Sequence, residues 1–247
     1  MNYFAKIKYL GTDFHGFQVQ PDMRTVQGTL CEALPMALGV SVSVTGCSRT
    51  DAGVHANEFC LRIDAPGATV PADKLPVAVS RFLPNDLSLF CAKECDESFH
   101  PRYDVLEKEY LYRIINQRVY DPFLFGRAWF LSRPITDHGL ELMSLAAKHF
   151  IGKYDFRAFM SEGSDTEDTV RTVTALDISR IGDEIDIKIS ADGFLYNMVR
   201  IIVGTLVEIA YGRISPDDIP QIVANGQRSA AGMTAPAAGL YLNRVIY

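Results

Sequence analysis

Residues 25–44, TVQGTLCEALPMALGVSVSV, contain a change of hydrophobic period that indicates the class of fold. In the first part an apolar residue recurs at every fourth position, as on the buried face of an α-helix. These residues are Val26, Leu30, Leu34 and Leu38. Thr25 is a suitable N-cap, Pro35 is expected to kink the helix, and Gly39 is expected to end it. Valine then alternates with serine, which predicts a strand at residues 40–44.

The sequence on both sides of this stretch continues to combine extended and helical segments. Short apolar and alternating segments predict strands at 3–10, 58–63, 87–93, 107–116, 128–131, 170–180, 184–190 and 241–247. Helical spacing predicts helices at 73–82, between the N-cap Asp137 and Gly152, at 195–211 and from Pro216. Residues 163–169 are polar and acidic and are expected to form a mobile loop. The whole pattern predicts an α+β fold of two similar α/β subdomains, residues 1–104 and 105–247, which share a mostly antiparallel sheet with helices packed on it and a binding cleft between them.

Composition and charge exclude several classes of protein. The chain has 247 residues and a net charge of −6, with 24 Lys and Arg against 30 Asp and Glu. This charge argues against a surface covered by nucleic acid, although a local basic cleft is compatible with it. The five cysteines lack zinc-knuckle or redox spacing, which is typical of free thiols in a reducing cytosol. Arg200 and Glu208 interrupt the longest apolar run, and no signal peptide is recognisable, so we expect a cytoplasmic protein without a membrane segment.

The loop CSRTDAGVHA, residues 47–56, combines arginine, aspartate and histidine between two predicted strands. Asp51 has the chemistry of a nucleophile or a general base, and Arg49 could bind a phosphate or separate the neighbours of a flipped base. Small residues beside Asp51 allow another backbone or a flat substrate to come close. The alternative is an ordinary turn in which the aspartate accepts from nearby amides and His55 is structural. No metal site is expected, because no second His or Cys lies at ligand spacing.

An arginine and two tyrosines in apolar segments are further candidates. Arg200 lies early in the predicted helix at 195–211, where an unpaired buried guanidinium would cost several kcal/mol. An anion such as Asp51 is therefore an expected partner, and the pair would keep the carboxylate ionised. Alternatively, Arg200 reaches solvent along the helix surface. Tyr110 and Tyr112 share one face of a predicted strand, where they either stack on an extruded RNA base or belong to the core.

Taken together, these segments resemble the TruA family of tRNA pseudouridine synthases. The loop at residues 49–55 looks like the catalytic motif of that family. Its other motifs are matched in order by residues 9–20, 25–27, 99–103, 108–112, 197–200 and 235–242. The matches begin near residue 3 and end at residue 247, so the resemblance covers essentially the whole chain.

The resemblance implies a fold, a substrate and a set of roles. It implies two α/β subdomains around a shared sheet, with the active cleft between them, in a homodimer that binds one tRNA. The implied reaction converts uridine to pseudouridine on the 3′ side of the anticodon stem-loop, at tRNA positions 38, 39 and 40. By motif, Asp51 matches the catalytic aspartate and Tyr110 the tyrosine that stacks on the base. Arg200 is similar to the arginine that pairs with the aspartate, and Arg49 to the arginine associated with base flipping.

The implied reaction suits these residues because it is an isomerisation, which requires no redox cofactor and no metal. One ionised carboxylate could attack the uracil ring, attack the sugar or abstract a proton, and the sequence leaves these routes open. Arg24 and Arg102 are further candidates for phosphate contacts. Ser48 and Asn197 depart from the glycine and histidine that other members carry, which leaves the exact target uridines open. Two competing hypotheses are a tRNA-binding module without activity and a hydrolase with an aspartate nucleophile, and the hydrolase would need a second carboxylate or a His base nearby.

Overall fold

The structure is a computed structural model that describes residues 1–163 and 166–247. Residues 164 and 165, which belong to the loop expected at 163–169, lie outside the described residues. In the described part of the chain the strands are β1 Asn2–Tyr9, β2 Ser43–Gly46, β3 His55–Asp64, β4 Leu87–Glu94, β5 Glu107–Asn116, β6 Trp129–Leu131, β7 Gly152–Asp155, β8 Val170–Ile181, β9 Glu184–Ala191 and β10 Leu240–Ile246. The α-helices there are α1 Val26–Leu38, α2 Leu75–Ser80, α3 Asp137–Ala147, α4 Met198–Ala210 and α5 Ile219–Asn225.

Contacts divide the chain into two compact units. The first unit consists of Met1–Leu106 and Tyr241–Tyr247, and the second of Glu107–Leu240. The sequence-based division after residue 104 assigned the last strand to the second subdomain. The structure groups that strand with the first unit, because β10 pairs in parallel with β3.

The strands of the first unit follow the order β4-β1-β3-β10, and β2 also pairs with β3. β1 is antiparallel to both β3 and β4, and β2 is antiparallel to β3. The parallel pairing of β10 places Tyr241 opposite His55 and Leu242 opposite Ala56. The start of β3, immediately after the loop that carries Asp51, is thus fixed on one side by the last strand of the chain.

Helix α1 forms as the four-residue spacing predicts. The hydroxyl of its N-cap Thr25 accepts from the Gly28 amide at 3.2 Å, and Gly39 ends the helix in the left-handed conformation with φ 70°. The predicted apolar face is buried. The helix continues through Pro35 to Leu38. The strand after it is shorter than predicted, because only Ser43–Gly46 pairs with β3.

The strands of the second unit follow the order β5-β9-β8-β7, with β6 also on β5. The pairs β5–β9, β9–β8 and β8–β7 are antiparallel, whereas β6 is parallel to β5. β5 has the predicted bounds. The short strand β7 was not predicted, because four residues with two exposed side chains carry too little alternation to be recognised.

The helices of the second unit differ from prediction at their ends. Thr136, not Asp137, is the N-cap of α3, and its hydroxyl accepts from the Gly139 amide at 3.1 Å. α3 ends at Ala147, and a short 3-10 turn follows before Gly152. α4 begins at Met198 and is almost entirely buried.

The described strands and helices confirm the predicted α+β class with mostly antiparallel strands. Among residues 1–163 and 166–247, no helix is both long enough and apolar enough to cross a membrane.

Candidate active site

The loop that joins β2 to β3 carries Asp51 and is held by its neighbours on both sides. The Thr50 hydroxyl forms a buried hydrogen bond of 2.8 Å with the Tyr9 hydroxyl, and the Thr50 carbonyl accepts from the Phe17 amide at 3.1 Å. The Asp51 carbonyl accepts from the Val54 amide at 3.1 Å, which closes a tight turn. Asp51 itself is half-buried. These bonds fix the backbone that presents the carboxylate.

A second backbone segment, residues 11–16, packs directly on this loop. A Cβ at Gly16 would lie 2.5 Å from the Thr50 carbonyl oxygen, and the residue has φ +83°. A Cβ at Gly11 would lie 1.9 Å from the Val54 carbonyl oxygen. The Gly53 amide donates to the Phe14 carbonyl at 3.2 Å. Glycines therefore allow the two backbones to lie in direct contact. Gly11 and Gly16 belong to one segment and Gly53, beside Asp51, belongs to the other.

His55 is fully buried and takes part in the scaffold of the loop. Its Nδ1 accepts from the Gly11 amide at 2.9 Å, and its ring stacks on Tyr241 with centroids 4.5 Å apart. This agrees with the structural interpretation of His55. It also weakens the hydrolase hypothesis, for which His55 was the available base.

Arg49 lies on the solvent side of the same loop. Its exposed side chain lines a cleft of about 240 Å³, together with Ser48, Gln18, Arg102 and Tyr103. Arg24, in contrast, forms a bidentate ion pair with Asp86, with both N···O distances at 2.8 Å, and lies over the ring of Phe14. The prediction that Arg24 contacts phosphate is therefore not supported, because its guanidinium already has a carboxylate partner.

Tyr110 lies in the second unit, in the first half of β5. It is 7% exposed, and its ring meets Phe194 edge to face with centroids 5.0 Å apart. Across the sheet it is opposite Ile189 of β9. The Tyr110 ring is thus almost fully buried, beside Phe194 and Ile189.

Arg200 lies in the first turn of α4 and donates two hydrogen bonds of 2.7 Å to neighbouring carbonyl oxygens. Its Nε donates to the Ala235 carbonyl and its Nη1 to the Asn197 side-chain oxygen. Asn197 is the N-cap residue and adopts the left-handed conformation, with φ 60°. Its side-chain Nδ2 donates to the Ser161 hydroxyl at 2.9 Å. No sequence pattern indicated this role of Asn197. The side chain of Arg200 is oriented by these contacts rather than extended along the helix surface.

The segment that Arg200 holds is also bound by Tyr112. The Tyr112 hydroxyl donates to the Pro236 carbonyl at 2.7 Å, next to Ala235. Burial raises the pKa of the Tyr112 phenol well above its usual range, although the charge of Arg200 opposes this shift. The phenol therefore stays protonated and continues to donate its hydrogen bond to the Pro236 carbonyl. Tyr112 is a core residue, as one of the two sequence-based interpretations expected.

The structure fixes the candidate residues within each unit separately. Asp51 and Arg49 share one loop of the first unit, and Tyr110 and Arg200 belong to the second. The pairing of Asp51 with Arg200 stays a prediction. In the part of the chain that the structure describes, no three His, Cys, Asp or Glu side chains are grouped so that they could hold a metal ion.

Several known proteins are similar to this chain. A family model described as tRNA pseudouridine synthase matches residues 146–247. The tRNA pseudouridine synthase A of Thermoanaerobacter sp. strain X514 is 42% identical over 246 residues, which cover 100% of this chain and 99% of that protein. The proteins of the same name from Brevibacillus brevis and Halalkalibacterium halodurans are 43% and 40% identical, over 98% and 97% of this chain and 97% and 90% of theirs.

Among solved structures, a chain of a Cbf5-Nop10-Gar1 complex has a TM-score of 0.37 and 12% identity, over 97% of this chain and 57% of that chain. A similarity of this size supports no structural argument. The full-length relatives, by contrast, are decisive for the class of protein, which is that of the RNA-modifying isomerases that form pseudouridine. The chain belongs to the tRNA pseudouridine synthase A family, also called TruA. Its reaction is the isomerisation of uridine to pseudouridine in tRNA.

Proposed function

We propose that Asp51 is the carboxylate that starts this isomerisation and that the targets are uridines at tRNA positions 38, 39 and 40, in the anticodon stem-loop. The observation that carries the assignment is the position of Asp51. It is a half-buried carboxylate on a loop whose backbone carbonyls accept from the Phe17 and Val54 amides and whose Thr50 hydroxyl bonds the Tyr9 hydroxyl. A carboxylate in such a loop is presented to substrate with little freedom to move, as a nucleophile or base requires.

Three further side chains have roles in the proposal. Tyr110 stacks on the detached uracil and keeps it from diffusing away, for which a ring held in place by Phe194 is suited. Arg200 pairs with Asp51 and keeps it ionised, for which its oriented guanidinium is suited. Arg49 enters the stem where the target nucleotide is extruded, and its exposure on the Asp51 loop supports this role.

The chemistry needs only groups that these residues supply. The bond between the ribose and the uracil nitrogen breaks, the base turns, and a bond from the ribose to a uracil carbon forms. The uracil carbon that bonds the ribose loses its proton and the freed nitrogen gains one, so no electron and no group is gained or lost overall, and the reaction needs one ionised carboxylate and a site that retains the base. Attack on the ring, attack on the sugar and proton abstraction each begin from the same ionised Asp51.

The assembly and the location are part of the same proposal. We infer a homodimer that binds one tRNA in the cytoplasm, where tRNA is available. In each chain residues 1–104 supply the Asp51 loop and residues 105–247 supply Tyr110 and Arg200. The support is the full-length similarity to tRNA pseudouridine synthases A.

The test uses purified protein and unmodified tRNA transcripts that retain uridine at one of the three positions, with cytidine at the other two. We expect pseudouridine at each retained position and none in a transcript with cytidine at all three. Mapping pseudouridine in bulk tRNA from cells with and without the gene gives the corresponding result in vivo. Pseudouridine formed elsewhere in the all-cytidine transcript would contradict the proposed site. Binding without any isomerisation would favour the inactive binding module.

A further inference from the structure

The cleft beside Arg49 differs in charge from the rest of the molecule. The chain carries 30 acidic residues against 24 Lys and Arg, yet none of the eleven described residues that line this cleft is Asp or Glu. The lining includes the guanidiniums of Arg49 and Arg102, the His100 ring and the amide of Gln18. The cleft is therefore a local basic site on an acidic protein, which is the distribution expected where an anion binds.

The far wall of the cleft, residues 99–104, is a rigid loop. The Arg62 guanidinium donates to the Phe99 carbonyl at 2.9 Å, and the Tyr247 hydroxyl donates to the Pro101 carbonyl at 2.7 Å. Within the loop, the His100 amide donates to the Asp104 carboxylate at 2.8 Å. These bonds tie the loop to the sheet of the first unit and organise its side chains before any ligand binds.

Tyr103 is the most exposed aromatic side chain of this loop, and the Arg102 guanidinium lies over its ring at 6.0 Å from the centroid. Tyr103 is 75% exposed, and one face of its ring stacks on His100 with centroids 4.2 Å apart. The His100 ring is itself oriented, because its Nδ1 accepts from the amides of Arg102 and Tyr103 at 3.1 and 3.3 Å. An exposed aromatic ring on a fixed support, beside a guanidinium, is suited to stack on a nucleobase whose phosphate the guanidinium binds.

We propose that this cleft binds a single nucleotide of the tRNA strand next to the target uridine. Its phosphate is bound by Arg102 and its base stacks on Tyr103, at the side of the cleft opposite Arg49, which enters the adjoining stem. A volume of about 240 Å³ suits part of one nucleotide rather than a base pair. This inference rests on the proposed function, since it places the subsite on the loop that carries Asp51. It assigns to Arg102 and Tyr103 substrate contacts that the sequence alone did not distinguish.

The experiment compares variants of the cleft with a matched control in the same unit. The variants are Arg102→Gln, Tyr103→Ala and Tyr103→Phe, and the control is Arg81→Gln, which removes an exposed guanidinium that stacks on Phe82 outside the cleft. Affinity for a tRNA transcript is measured over a series of salt concentrations, and kcat and KM are measured for isomerisation. Circular dichroism and thermal melting establish that each protein is folded.

We expect Tyr103→Ala to raise the Kd and the KM by about tenfold, the size of a lost base-stacking contact. Tyr103→Phe should stay within about twofold of wild type, because the ring remains. Arg102→Gln should reduce the slope of log affinity against log salt by about 0.7, as for one lost phosphate contact on a single strand. Arg81→Gln should change neither the Kd nor the kcat, and kcat at saturating tRNA should fall little in any variant.

The inference is overturned if Arg102→Gln and Tyr103→Ala both bind tRNA as wild type does, with an unchanged salt slope, while the wild-type protein isomerises uridine. That result would leave the proposed function intact. A wild-type protein that binds tRNA but forms no pseudouridine would instead contradict the proposed function, whatever the variants of the cleft do.

Discussion

Asp51 is presented by a backbone contact that tolerates no side chain on its partner. Gly16 lies against the carbonyl of Thr50, the residue before Asp51. Two residues before Gly16, the Phe14 carbonyl accepts from the amide of Gly53, which follows Asp51 in the loop. The Asp51 loop is thus positioned by packing between main chains. Such contacts depend on single glycines, because a methyl group would separate the two backbones.

We predict that Gly16→Ala displaces the Asp51 loop and lowers kcat. Gly67→Ala is the matched control, since Gly67 has nearly the same φ, +84° against +83°, but a Cβ there would meet its nearest atom only at 3.9 Å. Both variants adopt an unfavourable left-handed conformation, at a cost of about 1–2 kcal/mol. Gly16→Ala alone also meets the Thr50 carbonyl, which should cost about 1–3 kcal/mol more.

Chemical denaturation and steady-state kinetics test this difference. Gly16→Ala should be less stable than Gly67→Ala by that additional amount, and its kcat should be on the order of a hundredfold lower, as for a displaced catalytic group. Equal activities in the two variants would show that the position of the loop does not matter for catalysis.

The sequence identified the loop but not the contacts that hold it. Asp51 and Arg49 were recognisable because arginine, aspartate, glycine and histidine occur together within a few residues. The ion pair of Arg24 was not predicted, because its partner Asp86 is distant along the chain and no local pattern shows a tertiary ion pair. Tyr103 was recognisable only as part of the matched motif at residues 99–103, since its exposure and its support by His100 are properties of the fold.

One arginine at the start of α4 connects this helix to another segment of the second unit. Arg200 joins the first turn of the helix to the segment at Ala235, whose amide in turn donates to the Arg200 carbonyl at 3.0 Å. Asn197 completes the arrangement by accepting from the guanidinium. The same side chain is therefore structural and, in the proposed function, the partner of Asp51.

We predict that Arg200→Met separates these two roles when it is compared with Arg180→Met. Arg180 is also half-buried in the second unit and donates to the Ile135 and Gly182 carbonyls at 2.8 and 3.0 Å. Each substitution should lower the free energy of unfolding by about 1.5–3 kcal/mol, because each removes charged hydrogen bonds. Only Arg200→Met should also lower kcat, by on the order of a hundredfold.

Urea denaturation and isomerisation assays under conditions where both variants are folded provide the measurements. An Arg200→Met protein with the kcat of the Arg180→Met protein would contradict the proposed pairing and leave Arg200 with a structural role only.

The elements themselves were largely predictable where hydrophobic periodicity was long. α1 and β5 were found with correct bounds, because each presents a sustained pattern over ten or more residues. The start of α4 was placed too early, since Leu195 and Tyr196 continue the apolar pattern of the helix but Asn197 adopts a left-handed conformation. The strand at 40–44 was placed too early as well, because alternation alone does not show which residues find a pairing strand.

The chain as a whole is acidic, so its binding of a polyanion must rely on local basic surfaces. We predict that tRNA affinity falls steeply with salt despite the net charge of −6. Each phosphate that the protein neutralises releases counterions and contributes about −0.7 to −0.9 to the slope of log affinity against log salt. Filter binding between about 50 and 200 mM salt measures this slope. Affinity that is independent of salt would argue against phosphate-binding clefts such as the one beside Arg49.

The division of the molecule was only partly accessible from the sequence. The change near residue 104 was visible as the point where one series of strands and helices ends. The return of Tyr241–Tyr247 to the first unit was not, because parallel pairing with β3 joins residues that are far apart in the chain. Whole-chain similarity to a family supplies the substrate, which no local pattern states.

The most direct test of the central claim is the activity of Asp51→Ala and Asp51→Asn on tRNA, measured with the Kd of the same proteins. Asp51→Asn preserves the shape of the side chain and removes only its charge and basicity. We expect both variants to form no detectable pseudouridine while their tRNA affinity stays within about tenfold of wild type. Pseudouridine formation at the wild-type rate by Asp51→Ala would contradict the assignment of Asp51 as the catalytic carboxylate.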